Sequence, residues 1–206
     1  MRTERGLDRL VNFSDATVAI AITLLILPLV DVAGKVGTVS FAEFWADNFD
    51  PLFTFAVSFA VIANFWVAHH WLFEWVEGYN TALIWVNFLW LATIVFIPFT
   101  ANVLSSSERS RPEVFALYIG TLVVSSASIQ ALSHIILRSP GLAREGASEE
   151  LEGAEGWATA LVLVLALVLA VLFPAVGMWW LLLLFLVGRV RGLLSALTRR
   201  TSHRAR

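Results

Sequence analysis

Arg9, Phe13, Ser14, Asp15, His69 and His70 are the side chains whose types and spacing could do chemistry in this chain of 206 residues. Asp15 and the two histidines could pass a proton along a membrane relay, or one imidazole could be held neutral and buried beside the carboxylate. His69 and His70 are adjacent, so on a helix they diverge by about 100° and do not converge on one metal. Glu74 lies four residues after His70, which offers two ligands and no more. Without cysteine, disulfides, thiolate metal sites and thiol chemistry are excluded. No nucleophile–base pair and no paired carboxylates fall in the apolar segments, which argues against an enzyme. A formal net charge of −2 gives no sign of a nucleic-acid partner.

The elements that must position these groups are membrane helices. Hydrophobic residues make up 58% of the chain, with nine Trp and fifteen Phe, whereas soluble domains are about 45–50% apolar. The excess is gathered into long runs, so the expected class is an all-α integral membrane protein. A spanning helix needs about 20 mostly apolar residues. Six segments qualify, at about 10–31, 51–74, 81–104, 113–137, 156–173 and 175–194, which makes residues 1–206 a single six-helix transmembrane domain. The last two are separated on length. Trp157 to Val187 carries no charge, but as one helix it would be about 46 Å long, against a hydrocarbon core of about 30 Å. Pro174 and Gly177 near its middle favour a tight turn.

Charge gives the orientation. Six helices put both termini on one side, with Arg2, Arg5, Arg9, Arg138, Arg144 and the six arginines from Arg189 onward. Only Lys35, Arg109 and Arg111 fall on the other, so the positive-inside rule places both termini in the cytoplasm. Glu4 and Asp8 interrupt the basic N-terminus, which is not patterned as a cleaved signal peptide. The loop from Ser139 to Glu155 is acidic and rich in small residues, and is expected to be mobile and poorly structured. The Trp-rich stretches read as packing and interfacial residues, and Ser125, Ser126 and Ser128 as small polar packing positions.

On the first helix, Ala16, Ile20, Leu24 and Leu27 lie within about 40° of one stripe, flanked by Thr23 at about 60° and rejoined by Asp31 at about 20°. If several copies met at an axis, the aliphatic residues would form stacked rings of the kind that gate by dewetting, and Asp31 would set a carboxylate at the outer mouth. An apolar stripe on a membrane helix is also what a lipid-facing or packing surface looks like. Ser14 and Asp15 also suit an N-cap, and Asp31 an interfacial position. Pro28 suits a kink at the outer end.

Arg9, Phe13, Ser14 and Asp15 together form Arg-x-x-x-Phe-Ser-Asp, which resembles the signature of the transmembrane protein 175 family of potassium channels. Trp66-Val67-Ala68-His69-His70-Trp71-Leu72-Phe73 is similar to that family's Trp-x-x-His-His-x-x-Phe pattern, and Asn87 with Phe96-Ile97-Pro98-Phe99-Thr100 to its third-helix elements. The resemblance covers about residues 9–100. It implies a prokaryotic, single-repeat channel subunit in the cell membrane, six helices, a homotetramer in the lipid bilayer, and a first helix lining the pore. It implies Ile20 at the constriction, a hydroxyl at Thr23 and a further hydrophobic layer at Leu27. It also implies that Arg9 and Asp15 join a second-helix histidine in a structural or gating network rather than binding ions. Ala19 departs from members with Ser at that position. No cofactor is expected beyond the permeant potassium ions. The rival reading is a proton-coupled secondary transporter using Asp15, His69 and His70, although the chain lacks a Gly-broken helix pair of the kind used at the midplane.

Overall fold

The apolar runs fold as helices because a backbone in lipid must satisfy its own polar groups. The computed structural model describes residues 4–34, 40–107, 111–151, 155–173 and 176. The helices are α1 Glu4–Leu24, α2 Leu27–Ala33, α3 Phe41–Asp47, α4 Phe49–Glu74, α5 Thr81–Ser106, α6 Pro112–Arg138, α7 Ala147–Leu151 and α8 Glu155–Leu172. Four stretches are long and apolar enough to cross a bilayer: Arg5–Val30, Phe49–Glu74, Thr81–Ser106 and Pro112–Arg138. The chain is a multi-pass membrane protein. The fifth expected segment appears as α8, whose apolar part, Thr159–Leu172, is shorter. The sixth, 175–194, lies outside the described residues apart from Val176, as does the turn through Pro174 and Gly177.

The expected single helix 10–31 is instead two. Pro28 has no N–H to give to the carbonyl of Leu24, and its ring crowds that carbonyl. The backbone answers with tighter bonds: Ile26 N–H donates to Thr23 O at 3.3 Å and Leu29 N–H to Ile26 O at 2.9 Å. The helix therefore breaks at Leu25 and Ile26 and restarts as α2. Pro98, by contrast, sits inside an unbroken α5.

Local signals set the other ends. Asn80 Oδ1 caps α5 by accepting from Leu83 N–H at 2.7 Å. Pro112 opens α6, where its missing N–H costs nothing. Ser40 and Glu43 form a reciprocal capping box that starts α3. The Ser40 hydroxyl, and then its backbone N–H, hold the Glu43 carboxyl below the usual carboxylate range.

α5 is the middle of the bundle, packed on α6, α4 and α1, while α8 lies against α6. Trp90, Ile94 and Ile97 of α5 and Tyr118, Ile119 and Leu122 of α6 are fully enclosed. The Tyr118 hydroxyl and Ser58 Oγ share a buried hydrogen bond of 3.0 Å that ties α6 to α4. Ser125, Ser126 and Ser128 are buried on α6.

At the end of the bundle where α4 finishes, the chain is more ordered than the acidic composition suggested. Val76 pairs with Ala143 in a single antiparallel bridge. Glu77 N–H donates to Leu142 O at 2.8 Å, and Arg144 N–H to Trp75 O at 2.9 Å. Arg144 Nε lies 3.5 Å from Glu77 Oε1, and Asn80 Nδ2 donates to Ser139 Oγ at 3.2 Å. The first part of the loop 139–155 is thus stapled to the α4–α5 connection, and α7 follows it. Backbone pairing supplies the order that a low-hydrophobicity segment cannot find in a core. The staple also needs a glycine, because a Cβ on Gly78 would lie 2.7 Å from the Gly141 carbonyl oxygen. Gly78→Ala is expected to destabilise the protein by about 1–3 kcal/mol through this overpacking, seen as a lower thermal unfolding midpoint in detergent.

Candidate functional site

The candidate site is α1 and the groups that hold it. The two sides of this helix have opposite fates. Ser14, Val18, Ala21 and Leu25 are buried against the bundle. Ala16, Ala19, Ile20, Thr23, Leu24 and Leu27 are exposed, with Ile20 at 62% and Leu27 at 58%. The predicted stripe is therefore open from Ala16 to Leu24 on α1 and again at Leu27, the first residue of α2, with no cover among the described residues. Thr23 Oγ1 donates to the carbonyl of Ile20 at 2.7 Å, which leaves its oxygen lone pairs facing outward with the stripe. Asp31 belongs to α2, but its side chain lies outside the described residues. Arg9 and Phe13 extend the stripe in the other direction, at about 20° either side of Ile20. Phe13 is exposed and meets Phe88 edge-on at 5.8 Å. Arg9 is exposed and makes no hydrogen bond or ion pair among the described residues.

On the buried side, three helices share one hydrogen-bonded chain. Ser14 Oγ donates to the carbonyl of Leu10 at 2.9 Å and accepts from Asn87 Nδ2 at 2.9 Å. Asn87 Oδ1 lies 2.8 Å from His69 Nε2. Because the Asn87 amide nitrogen is committed to Ser14, its oxygen is the acceptor and His69 Nε2 carries the donated proton. The imidazole is held on both faces, by Trp90 at 4.0 Å and 7° and by Phe73 at 4.2 Å and 26°. Ser14, His69 and Asn87 are each 0–1% exposed, so every polar atom in this chain must find its partner inside the protein.

The pairing differs from the expected network of Arg9, Asp15 and a second-helix histidine. Asp15 Oδ1 accepts from Trp66 Nε1 at 2.8 Å, not from an imidazole. His70 faces outward, stacked on Trp66 at 5.3 Å, with Nε2 3.6 Å from Glu74 Oε1. Trp66 sits one turn before His69 and His70, and the rotation of α4 turns Trp66 toward Asp15 and His69 into the core. A relay from Asp15 through His69 and His70 is therefore not assembled. Sequence reasoning placed Asn87 among the motif residues but not as the connector, and read Trp66 as packing. The signal for Asn87 was an amide in an otherwise apolar helix. Trp66→Phe keeps an aromatic ring beside His70 and removes the N–H together with part of the indole. It is expected to lower stability by about 1 kcal/mol, measurable as a small drop in unfolding midpoint.

Two cavities adjoin α1. One of about 480 Å³ lies at the helix break, lined by Leu24, Leu27, Pro28, Pro51, Pro98 and Phe99 among others. The other, about 1220 Å³, is at the opposite end, where Asp8, Asn12, Glu74, Glu77 and Arg144 contribute polar groups. No group of three or more His, Cys, Asp or Glu side chains among the described residues is arranged to hold a metal ion.

Residues 9–98 match the family model described as the endosomal/lysosomal potassium channel TMEM175. Over this segment, 90 of the 206 residues, the chain is similar to the TMEM175 family. The matched stretch contains the uncovered stripe of α1 and every member of the Ser14–Asn87–His69 chain. Among curated relatives, a potassium channel of Streptomyces collinus is 32% identical over 127 residues, 60% of this chain and 61% of that protein. A potassium channel of a Chryseobacterium species is 28% identical over 137 residues, 65% of this chain and 66% of that one. The chain thus spans somewhat under two thirds of these relatives. The crystal structure of a lysosomal potassium-selective channel TMEM175 homolog from Chamaesiphon minutus superposes with a TM-score of 0.71, covering 93% of this chain and 99% of that one at 22% identity. That likeness establishes a shared TMEM175 fold.

Proposed function

We propose that this chain is the subunit of a potassium-permeable cation channel, a homotetramer of six-helix subunits in the cell membrane of a prokaryote, with both termini cytoplasmic. The observation that carries the reading is the division of α1. One face is fixed to the bundle by buried hydrogen bonds, while the opposite face, Ile20 through Leu27, is left uncovered among the described residues. Four copies arranged about an axis turn that face into a pore wall. Ile20 is the hydrophobic constriction, Leu24 and Leu27 are the layers above it, and Thr23 supplies a hydroxyl between them. Asp31 stands at the outer mouth, where a carboxylate concentrates cations. Ser14 and His69 through Asn87, Asp15 through Trp66, and Phe13 through Phe88 support the helix, while Arg9 and His70, which have no direct hold on it among the described residues, belong to the gating network. A ring of branched aliphatic side chains resists wetting and so closes without a moving plug. The family resemblance and the channels named among its relatives support potassium as the permeant ion.

Purified protein in liposomes is expected to pass potassium down its concentration gradient with no proton gradient imposed. Absence of flux at every membrane potential, or strict dependence on a counter-gradient of protons, would refute the channel reading.

A further inference from the structure

An exposed amide on α4 points to how the copies meet. Asn64 lies fifteen residues after Phe49 and ten before Glu74, in the middle of a membrane span. Its side chain is exposed and makes no hydrogen bond among the described residues. Facing hydrocarbon, a primary amide would leave two donors and an acceptor unsatisfied, which a bilayer does not tolerate without a protein partner. The rest of the open face of α4, between Trp66 and Asn64, has a small centre, Ala56, Ala60, Ala63 and Val67, rimmed by the exposed Phe59, His70 and Trp71. The small centre lets another helix approach between the flanking rings.

The placement of α1 says which helix that is. Asp15 is held by Trp66 of α4, while Ser14 is held by Asn87 and Phe13 meets Phe88, both of α5, so α4 and α5 sit side by side behind the pore-lining helix, α4 toward its Asp15 flank and α5 toward its Phe13 flank. When copies close into a ring about the uncovered stripe, the α4 side of one meets the α5 side of the next, a heterologous contact. The open face of α5 carries Trp85, Phe88, Leu89, Val95, Phe96 and Phe99, and near its centre the small Ala92. The His69–Asn87 hydrogen bond between antiparallel helices fixes their relative depth. Counting back five residues from His69 and forward five from Asn87 puts Asn64 and Ala92 at the same level. Rotation about the membrane normal preserves that level between copies.

We infer that the subunit interface is built from the Ala56–Val67 face of α4, with Asn64 at its edge, against the Ala92-centred face of α5 in a second copy of this chain. The inference rests on the tetrameric reading above. The absence of native cysteine makes a clean test available. Asn64→Cys and Ala92→Cys combined in one chain, treated in liposomes with a bifunctional maleimide, are expected to give a ladder of dimer, trimer and tetramer. Each single variant is expected to stay monomeric on the denaturing gel. A tetramer by native mass with no ladder from the double variant would assign this face to lipid or another segment of the chain and overturn the inference. A dimer from Asn64→Cys alone would overturn it in favour of a two-fold contact. A native mass of one subunit for the unsubstituted protein would instead remove the tetramer, and the channel reading with it.

Discussion

Ile20→Asn should open a leak. In liposomes carrying the variant, potassium flux is expected to rise about tenfold, which corresponds to a barrier lowered by about 1.4 kcal/mol. The physical cause is wetting. In the proposed tetramer, four isoleucine side chains around a narrow lumen would offer water nothing to hydrogen-bond, so the column would break there and a hydrated ion would have to shed part of its shell to pass. Asparagine restores donors and acceptors at that ring, and the shell is kept. Sodium, which holds its water more tightly, should gain more than potassium, so discrimination between the two falls as flux rises. The substitution is well placed for interpretation because Ile20 is 62% exposed in its own subunit, and its replacement leaves the bundle core intact. Ile20→Val keeps the ring apolar and should leave the flux within a few-fold of the parent, as a control for altered pore width. Unchanged flux in the asparagine variant would take Ile20 out of the constriction.

The second large effect concerns the buried chain behind α1. Asn87→Leu removes the acceptor for His69 Nε2–H and the donor to Ser14 Oγ at once. Ser14 still donates to Leu10 O, so the main orphan is the imidazole N–H, sealed between Trp90 and Phe73. An unsatisfied buried donor costs about 1–3 kcal/mol, and in a bilayer no solvent is at hand to reduce the penalty. The unfolding midpoint of purified protein should fall by several degrees. His69→Phe in the same chain replaces the orphan with an apolar ring of similar shape and keeps both stacking contacts. The double variant should recover much of the loss, because removing both partners of a hydrogen bond is far milder than removing one. Strict additivity of the two single losses would show that His69 and Asn87 do not act as a pair.

What the sequence made legible was whatever depends on periodicity. The spans at α4, α5 and α6 and the open stripe of α1 follow from where apolar residues recur, and hydrocarbon enforces that pattern strongly. Pro28 announced a disturbance, but its outcome, a full break with tighter bonds at Ile26 and Leu29, depends on which carbonyls the backbone can reach once one bond is lost. The partner of Asp15 was harder to see. Trp66, His69 and His70 all offer a nitrogen within one turn of α4, and only the rotation of that helix about its axis selects Trp66. That rotation is decided by packing against α5 and α6, remote in sequence. The same holds for Asn87, whose bonds reach back 18 residues to His69 and 73 to Ser14. The Val76–Ala143 staple left no trace in the pattern, since a single bridging pair has no period to detect.

The span of those bonds bears on how the protein is made. α1 leaves the ribosome before α4 and α5, so the residue that fixes Ser14 is synthesised 73 positions later, and the one that holds Asp15 51 positions later. At about 5–20 residues per second, the helix waits roughly 4–15 s for Asn87. Its hydroxyls are prepared for the wait: Ser14, Thr17 and Thr23 each donate to a carbonyl three or four positions back in the same helix. A newborn α1 can therefore rest in the bilayer with its hydroxyls satisfied, and it takes up its assigned orientation only when the third span arrives to lock it.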